Sequence, residues 1–391
     1  MRIEQRLWTA AGWNQEGISG QNGYAAAQLV LVFGAPSVLS RPGLLAELQQ
    51  RYPAALVFGC STAGEILGTQ VLDDTMVATA VEFAGTRLAS ARVVLSECGD
   101  NSYQAGERLA AALPLEMPGA GGATSSPLKH VFVLSDGLQV NGSDLVRGLA
   151  ACLPTAVTVT GGLAGDGARF GSTLVVHAGR AESGTVAALG FYGDRLRIGF
   201  GSLGGWDPFG PERLITRSRG NVLYEFDGHS ALGLYKKYLG AHADQLPASG
   251  LLFPLSLRIQ AGEAPVVRTI LAVDEATQSL TFAGDVPEGA YARLMKANFD
   301  RLIDGATDAA RTSHEAMGGA FAELAILISC GGRKLLLKQR IEEEVDGVRD
   351  VLGAGAALAG FYSYGEISPF KPGARCELHN QTMTITTFAE L

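Results

Sequence analysis

The sequence predicts an α/β fold, α+β in part, made of two related mixed-sheet domains with helices packed on the sheets. Two observations predict it. Short apolar runs that end in glycine, typical of buried strands, alternate with segments of helical periodicity along most of the chain. A glycine-rich motif near the start of the chain also recurs near its end, which indicates that the two domains are related.

The first half alternates strand and helix. Residues 29–33 form an apolar strand, and the spacing of Leu44, Leu45 and Leu48 after Pro42 predicts a helix. Residues 117–127, rich in glycine and serine, are predicted as a flexible surface loop. The remaining predicted elements are strands at 55–58, 77–83, 130–134 and 157–160 and helices at 103–113 and 141–151. This alternation is typical of a sheet covered by helices.

The second domain is predicted to begin near residue 200, which gives domains of residues 1–200 and 201–391. Residues 199–210 interrupt the alternation there, and their Trp206-Asp207-Pro208-Phe209 segment is interpreted either as a lid over a ligand or as an apolar anchor. The pattern then predicts helices at 229–239, 288–313 and 340–351 and strands at 266–273, 279–282, 323–330, 356–363 and 381–388. Hydroxyl and apolar side chains alternate in the last strand, so one face is expected toward solvent or a cleft.

Composition argues against several classes of function. The net charge of −8, without a run of lysines or arginines, argues against binding to nucleic acid. No apolar stretch reaches the 18 residues of a membrane-spanning helix, and the first residues lack the features of a secretory signal, so we expect a cytoplasmic location and no membrane partner. The five cysteines are never at C-x-x-C spacing, which predicts neither a disulfide framework nor a thiolate zinc site.

Two segments share a motif. Residues 59–66 and 360–367 both read G-x-x-x-x-G-E-I, and each follows an apolar strand. Loops at the carboxyl ends of such strands form ligand crevices in α/β sheets, although glycines there also serve plain turns, and the sequence leaves both interpretations open. If the loops line a crevice, the ligand-binding residues are Gly59, Ser61, Gly64, Glu65, Gly165, Asp166, Tyr364, Gly365, Glu366 and Asn380.

No catalytic constellation is visible, so we expect no enzyme activity. The segment around Ser61 is one residue too long for a G-x-S-x-G nucleophile elbow, and Cys60 and Cys330 are interpreted as packing residues at strand ends. The six histidines show no H-x-x-x-H pair. One histidine can still hold a haem iron, and His379, beside Asn380, precedes the final strand near several aromatic residues. The alternative is a histidine that is hydrogen-bonded at the start of a strand.

Taken together, residues 59–66, 161–167, 221–228 and 360–369 with His379-Asn380 resemble the FIST family of intracellular signal-transduction sensors. The resemblance covers nearly the whole chain. It implies a module that binds a small ligand and regulates a histidine kinase or a cyclic-di-nucleotide enzyme in trans. Separately, a homodimer is an open option. The branch with two FIST domains is similar to nitric-oxide sensing haem proteins of the NosP type, which implies haem b with His379 or His229 as the ligand to iron.

Three hypotheses follow. The leading one is a cytoplasmic, non-enzymatic haem sensor of nitric oxide. The second is a haem-free sensor in which the glycine-rich strand ends, with Glu65, Glu366, Asp136 or Asp166, hold an amino acid or a related metabolite. The third is an enzyme of unrecognised mechanism.

Overall fold

The computed structural model describes residues 1–14, 26–118, 125–259, 265–370 and 373–391. The chain is mixed α/β, as predicted, and its sheets repeat one pattern three times. In each repeat, two parallel strands are joined through a helix, a hairpin follows, and a last strand returns antiparallel to the first. The third repeat is interrupted by an inserted antiparallel sheet.

The first repeat contains a parallel pair, β3 and β4, whose apolar side chains are almost entirely buried because both faces of the sheet are covered. Its elements are β1 (Arg2–Thr9), β2 (Gly12–Trp13), β3 (Leu29–Gly34), α1 (Pro36–Leu39), α2 (Leu44–Arg51), β4 (Leu56–Ser61), β5 (Glu65–Leu67), β6 (Gln70–Leu72) and β7 (Met76–Glu82).

The second repeat has two helices that begin at asparagine caps, Asn101 and Asn141, whose side chains accept backbone N–H groups. Its elements are β8 (Arg87–Val94), a 3-10 turn (Leu95–Cys98), α3 (Ser102–Ala112), β9 (Glu116–Pro118), β10 (Ser125–Ser135), α4 (Gly142–Cys152), β11 (Thr158–Leu163), β12 (Val175–His177), β13 (Arg180–Glu182) and β14 (Thr185–Tyr192). Both ends of the predicted loop 117–127 are therefore paired strands, and residues 119–124 lie outside the described part.

The third repeat starts at β15 (Leu196–Leu203) and then leaves its own sheet. The inserted sheet comprises β16 (Trp206–Arg219), β17 (Val222–Phe226), β18 (His229–Ser230), α5 (Ala231–Leu239), two 3-10 turns (Gly240–Gln245 and Ala248–Leu252), β19 (Leu255–Arg258), β20 (Val266–Arg268), β21 (Ile270–Asp274), β22 (Ser279–Phe282) and β23 (Tyr291–Ala297). The repeat resumes with α6 (Phe299–Ala316), β24 (Leu324–Cys330), α7 (Gly331–Leu337), a 3-10 turn (Lys338–Arg340), α8 (Ile341–Leu352), β25 (Ala357–Ser363), β26 (Gly365–Pro369), β27 (Cys376–His379) and β28 (Met383–Glu390).

The hairpin of each repeat pairs with the sheet of another repeat. Strand β5 of the first repeat pairs with β25 of the third, β12 of the second pairs with β4 of the first, and β26 of the third pairs with β11 of the second. The exchange is cyclic. It therefore relates the three repeats by an approximate threefold axis.

Two predictions about the second half are corrected. Tyr291–Ala297 is a strand and not the start of the predicted helix 288–313, because β16 and β19 pair with it on both sides. Within residues 199–210, β15 ends at Leu203 and β16 begins at Trp206 with no helix between them, so the strand–helix alternation is interrupted there. The hydroxyl face of β28 is buried, since Thr384 bonds Ser202 on the neighbouring strand β15 and Thr386 bonds Thr160 on the sheet of the second repeat.

Every helix in the described ranges is too short or too polar to cross a bilayer.

Candidate functional site

The predicted glycine-rich segments meet at the threefold axis. The Ala63 N–H donates to Tyr362 O (2.7 Å), the Gly165 N–H to Ser61 O (2.9 Å) and the Tyr364 N–H to Leu163 O (3.2 Å), so each repeat donates one equivalent bond to the next. Ser61 also donates its hydroxyl to Gly165 O (2.8 Å) and accepts the Leu174 N–H. The strand ends are thereby joined in a closed ring.

Three equivalent glycines allow the parallel strands to approach closely. A Cβ at Gly59, Gly161 or Gly360 would lie only 1.7, 1.8 or 1.9 Å from the carbonyl oxygen of Val32, Val133 or Leu327 on the neighbouring strand. The first glycine of the repeated motif is therefore a packing requirement of the strand pair. Residues 161–167 are the second repeat's version of the same segment.

The two motif glutamates are buried and occupy equivalent positions. Glu65 accepts the Thr62 hydroxyl (2.5 Å) and both the N–H (3.2 Å) and hydroxyl (2.7 Å) of Thr75. Glu366 accepts the Ser363 hydroxyl (2.6 Å) and the same two groups of Thr382. Burial raises the pKa of Glu65 to about 7 and that of Glu366 to about 8, although these hydrogen bonds oppose the shift.

Two aspartates hold loops beside the axis. Asp166 accepts the Tyr364 hydroxyl and the N–H groups of residues 170–172. The Tyr364 ring also stacks on Phe170, with ring centroids 4.8 Å apart. Asp136 accepts the N–H groups of Leu138 and Gln139 and so fixes the loop before α4. Both carboxylates are thus occupied by the protein's own donors.

The remaining predicted ligand residues are also packed. A Cβ on Gly64 would lie 2.2 Å from Lys334 Nζ, and one on Gly365 would lie 3.3 Å from Asn380 Nδ2. Asn380 donates to Tyr364 O (3.1 Å) and accepts the Thr269 N–H (3.1 Å). The structure therefore brings all ten predicted ligand-binding residues to the axis or beside it, and their polar side chains bond to the protein itself.

An open cleft of about 460 Å³ lies between the second repeat and the inserted sheet. This volume is in the range of small-ligand sites. One wall is formed by residues 99–102 and 138–141 with Asp144, and the other by residues 219–221 with Leu271, Thr281 and Phe282. Asp100 on the first wall and Arg219 on the second are exposed, and neither side chain forms a hydrogen bond or ion pair with a residue in the described part of the chain.

Two family models cover most of the chain: the FIST N domain matches residues 28–229 and the FIST C domain matches residues 231–369. The chain belongs to the FIST family. FIST domains are signal-transduction sensor domains, so the sensor role predicted from the sequence is confirmed at this level. The two FIST matches meet at residues 229–231, inside the inserted sheet.

The search of curated proteins finds no match to this FIST protein. Among solved structures, a chorismatase is similar with a TM-score of 0.31 and 10% identity, covering 99% of this chain and 98% of that one. A cyanuric acid hydrolase from A. caulinodans is similar with a TM-score of 0.34 and 9% identity, covering 94% and 90%. At such scores neither likeness supports a statement about function.

The two candidate haem ligands lie in unsuitable surroundings. His379 is buried in β27, donates from Nε2 to Ser368 O (2.7 Å) and contacts the Phe370 ring at 4.0 Å between centroids, and burial lowers its pKa to about 4. His229 is exposed on β18. No described histidine lines either the cleft defined above or a second groove of about 490 Å³ beside β8. The described residues therefore do not fit a haem in this arrangement, and haem binding stays a prediction.

Cys60, Cys330 and Trp206, also considered from the sequence, are buried packing residues. Cys60 and Cys330 are buried at strand ends, as interpreted, and all five cysteines are free. Trp206 is an anchor and not a lid, because its ring is buried and its Nε1–H donates to Gln381 O (3.1 Å). The described ranges contain no group of three or more metal-binding side chains.

Sequence reasoning missed the cleft. Asp100 lies in a turn before α3 and Arg219 is the last residue of β16, positions that no motif marks, and they line one cleft only because the inserted sheet docks on the second repeat. The signals that existed were indirect. Two features of the sequence contain lining residues of the cleft: the predicted helix 141–151 and the run 221–228, which carries part of the family resemblance.

Proposed function

We propose that this FIST protein is a haem-free sensor of a small zwitterionic metabolite, such as a free amino acid, and that the metabolite binds in the cleft between the second repeat and the inserted sheet. The observation that carries the proposal is the pair of opposite charges on facing walls, each without a partner among the described residues. Asp100 would accept the ammonium group, and Arg219 would bond the carboxylate through its planar fork of donors.

The position of the cleft, between two parts of the fold, supports a signalling role. A ligand that bonds Asp100 and Arg219 together links two bodies, the second repeat and the inserted sheet, and so favours the arrangement in which the walls are closest. A sensor requires such unequal binding to two arrangements. We propose that the arrangement is recognised by a separate histidine kinase or cyclic-di-nucleotide enzyme, as the family resemblance implies.

The test is isothermal titration with each of the twenty common L-amino acids, accompanied by thermal unfolding. A ligand should raise the melting temperature, and Arg219→Gln and Asp100→Asn should each weaken its binding by about 10-fold to 100-fold, the usual effect of losing a charged hydrogen bond. Arg217→Gln is the matched control, because Arg217 lies two residues away on β16 and pairs with Glu225 outside the cleft. An amino-acid affinity that neither cleft substitution changes would refute the site.

The haem hypothesis is tested in parallel by an absorption spectrum after haem titration, for the wild type, His379→Ala and His229→Ala. A Soret band that shifts with nitric oxide and disappears in one variant would replace the present proposal. To bind iron through Nε2, His379 would have to release Ser368 O and leave its contact with Phe370.

A further inference from the structure

A buried arginine joins three bodies of the fold behind the cleft. Arg268, on β20 of the inserted sheet, is 5% exposed. Its guanidinium donates to Asp285 O (3.1 Å) in the inserted sheet, to the Ser143 hydroxyl (3.4 Å) at the start of α4, and to Leu378 O (3.0 Å) on β27. One side chain therefore contacts the inserted sheet, the second repeat and the exchanged hairpin of the third repeat.

The first wall of the cleft is hydrogen-bonded to Asp285, the residue whose carbonyl accepts a bond from Arg268. Asn141, which lines the cleft, donates from Nδ2 to Asp285 Oδ1 (2.7 Å). Asp144, also in the wall, pairs with Arg147, which bonds Asp285 Oδ2 (2.9 Å). The Asp285 N–H donates to the Ser143 hydroxyl (3.1 Å). A displacement of the wall therefore moves Asp285, and Asp285 bonds Arg268.

The hairpin side continues to the axis. Next to Arg268, the Thr269 N–H donates to Asn380 Oδ1, and Asn380 donates to Tyr364 O. Tyr364 in turn bonds Asp166. The contact between the inserted sheet, α4 and β27 is tightly packed, since a Cβ on Gly284 would lie 2.5 Å from Ser143 Oγ and 2.6 Å from a Leu378 methyl carbon. Packing this tight transmits a displacement and does not absorb it.

We propose that Arg268 and Asp285 couple the state of the cleft to the β26–β27 hairpin and the axis. The coupling rests on the proposed function, because it gives a ligand in the cleft a route to a distant surface. It assigns to Asn380, predicted from the sequence as a ligand residue, a role in transmission. A physical coupling requires that a change at one end alter the other end, and this can be measured without any ligand.

The experiment uses hydrogen exchange with mass spectrometry on the full chain. Asn141→Ser keeps the helix cap but removes the amide that bonds Asp285. It should accelerate exchange in residues 365–370 and 376–380 about fivefold, which corresponds to the loss of one hydrogen bond. Asn101→Ser is the matched control: it alters the other cap in the cleft wall, which has no bond to Asp285 among the described contacts, and should leave the hairpin unchanged.

The second step repeats Asn141→Ser in an Arg268→Lys background. Lysine keeps the charge but not the fork that bonds Asp285 O and Leu378 O together, so the hairpin should exchange faster at the outset and Asn141→Ser should add nothing further. The coupling is refuted if Asn141→Ser changes only residues 138–146 and 283–286, or if its effect on the hairpin persists undiminished in the Arg268→Lys protein. Because no ligand is added, this failure is distinct from a failure to bind amino acids.

Discussion

Replacement of Gly360 by alanine tests the close approach of the strands at the axis. The added Cβ would lie 1.9 Å from Leu327 O, whereas real Cβ atoms do not come closer than 3.0 Å, so β24 and β25 must separate by roughly 1 Å. That shift takes ladder hydrogen bonds of about 2.9 Å out of range. Two lost bonds at about 1 kcal/mol each, with overpacking strain of about 1–3 kcal/mol, give a loss of about 3–5 kcal/mol.

The assay is urea unfolding followed by circular dichroism. A loss of this size is a large fraction of the about 5–15 kcal/mol that stabilises a typical protein, so the midpoint should fall markedly or the protein should not accumulate folded. Gly355→Ala is the control, because a Cβ there meets no atom within 4 Å, and it should change the free energy of unfolding by less than about 1 kcal/mol. A Gly360→Ala protein as stable as the control would refute the reasoning.

Two further predictions concern buried charges. Burial raises the folded-state pKa of Glu65 to about 7, so the stability that this carboxyl contributes is present below its unfolded pKa near 4.5 and is lost as pH rises through 7. Between pH 4.5 and 8.5 the free energy of unfolding of the wild type should therefore fall by about 3 kcal/mol relative to that of Glu65→Gln. Denaturant titrations across this range measure it, and an equal pH dependence of the two proteins would contradict the prediction. The Arg333–Glu344 ion pair (2.7 Å) is fully buried, and its carboxylate also accepts the hydroxyls of Ser329 and Tyr362. Arg333→Met should lower the free energy of unfolding by about 3–5 kcal/mol, because it leaves that carboxylate unpaired. Arg333→Met combined with Glu344→Gln should lower it less, which a double-mutant cycle of unfolding free energies measures.

Local pattern was enough to predict most strands and helices of the repeats. The apolar run at residues 29–33 and the leucines of α2 are unambiguous because burial on both faces, or on one helical face, leaves a direct trace in the sequence. The strand Tyr291–Ala297 was mistaken for helix because its residues also suit a helix, and only its two neighbouring strands decide the matter.

The repeated motif indicated a duplication but not the third copy. Residues 161–167 keep the glycine that lies against Val133 O, but replace the glutamate of the motif, so the match is visible only once the strands are paired. The predicted ligand residues did come together, because strand ends of related repeats meet at one axis. The sequence could not show that donors from the protein itself occupy the carboxylates of Glu65 and Glu366, because hydrogen-bond partners such as Thr75 and Thr382 are set by tertiary contacts.

The cyclic exchange of hairpins has a consequence for the order of synthesis. As the chain leaves the ribosome, β11 is complete long before its partner β26, which is made some 200 residues later. Until then the second repeat carries an open strand edge, the kind of surface that pairs with other chains. The ring cannot close before the last repeat is made, so a truncated or stalled chain should be a substrate for chaperones even if its first two repeats have folded.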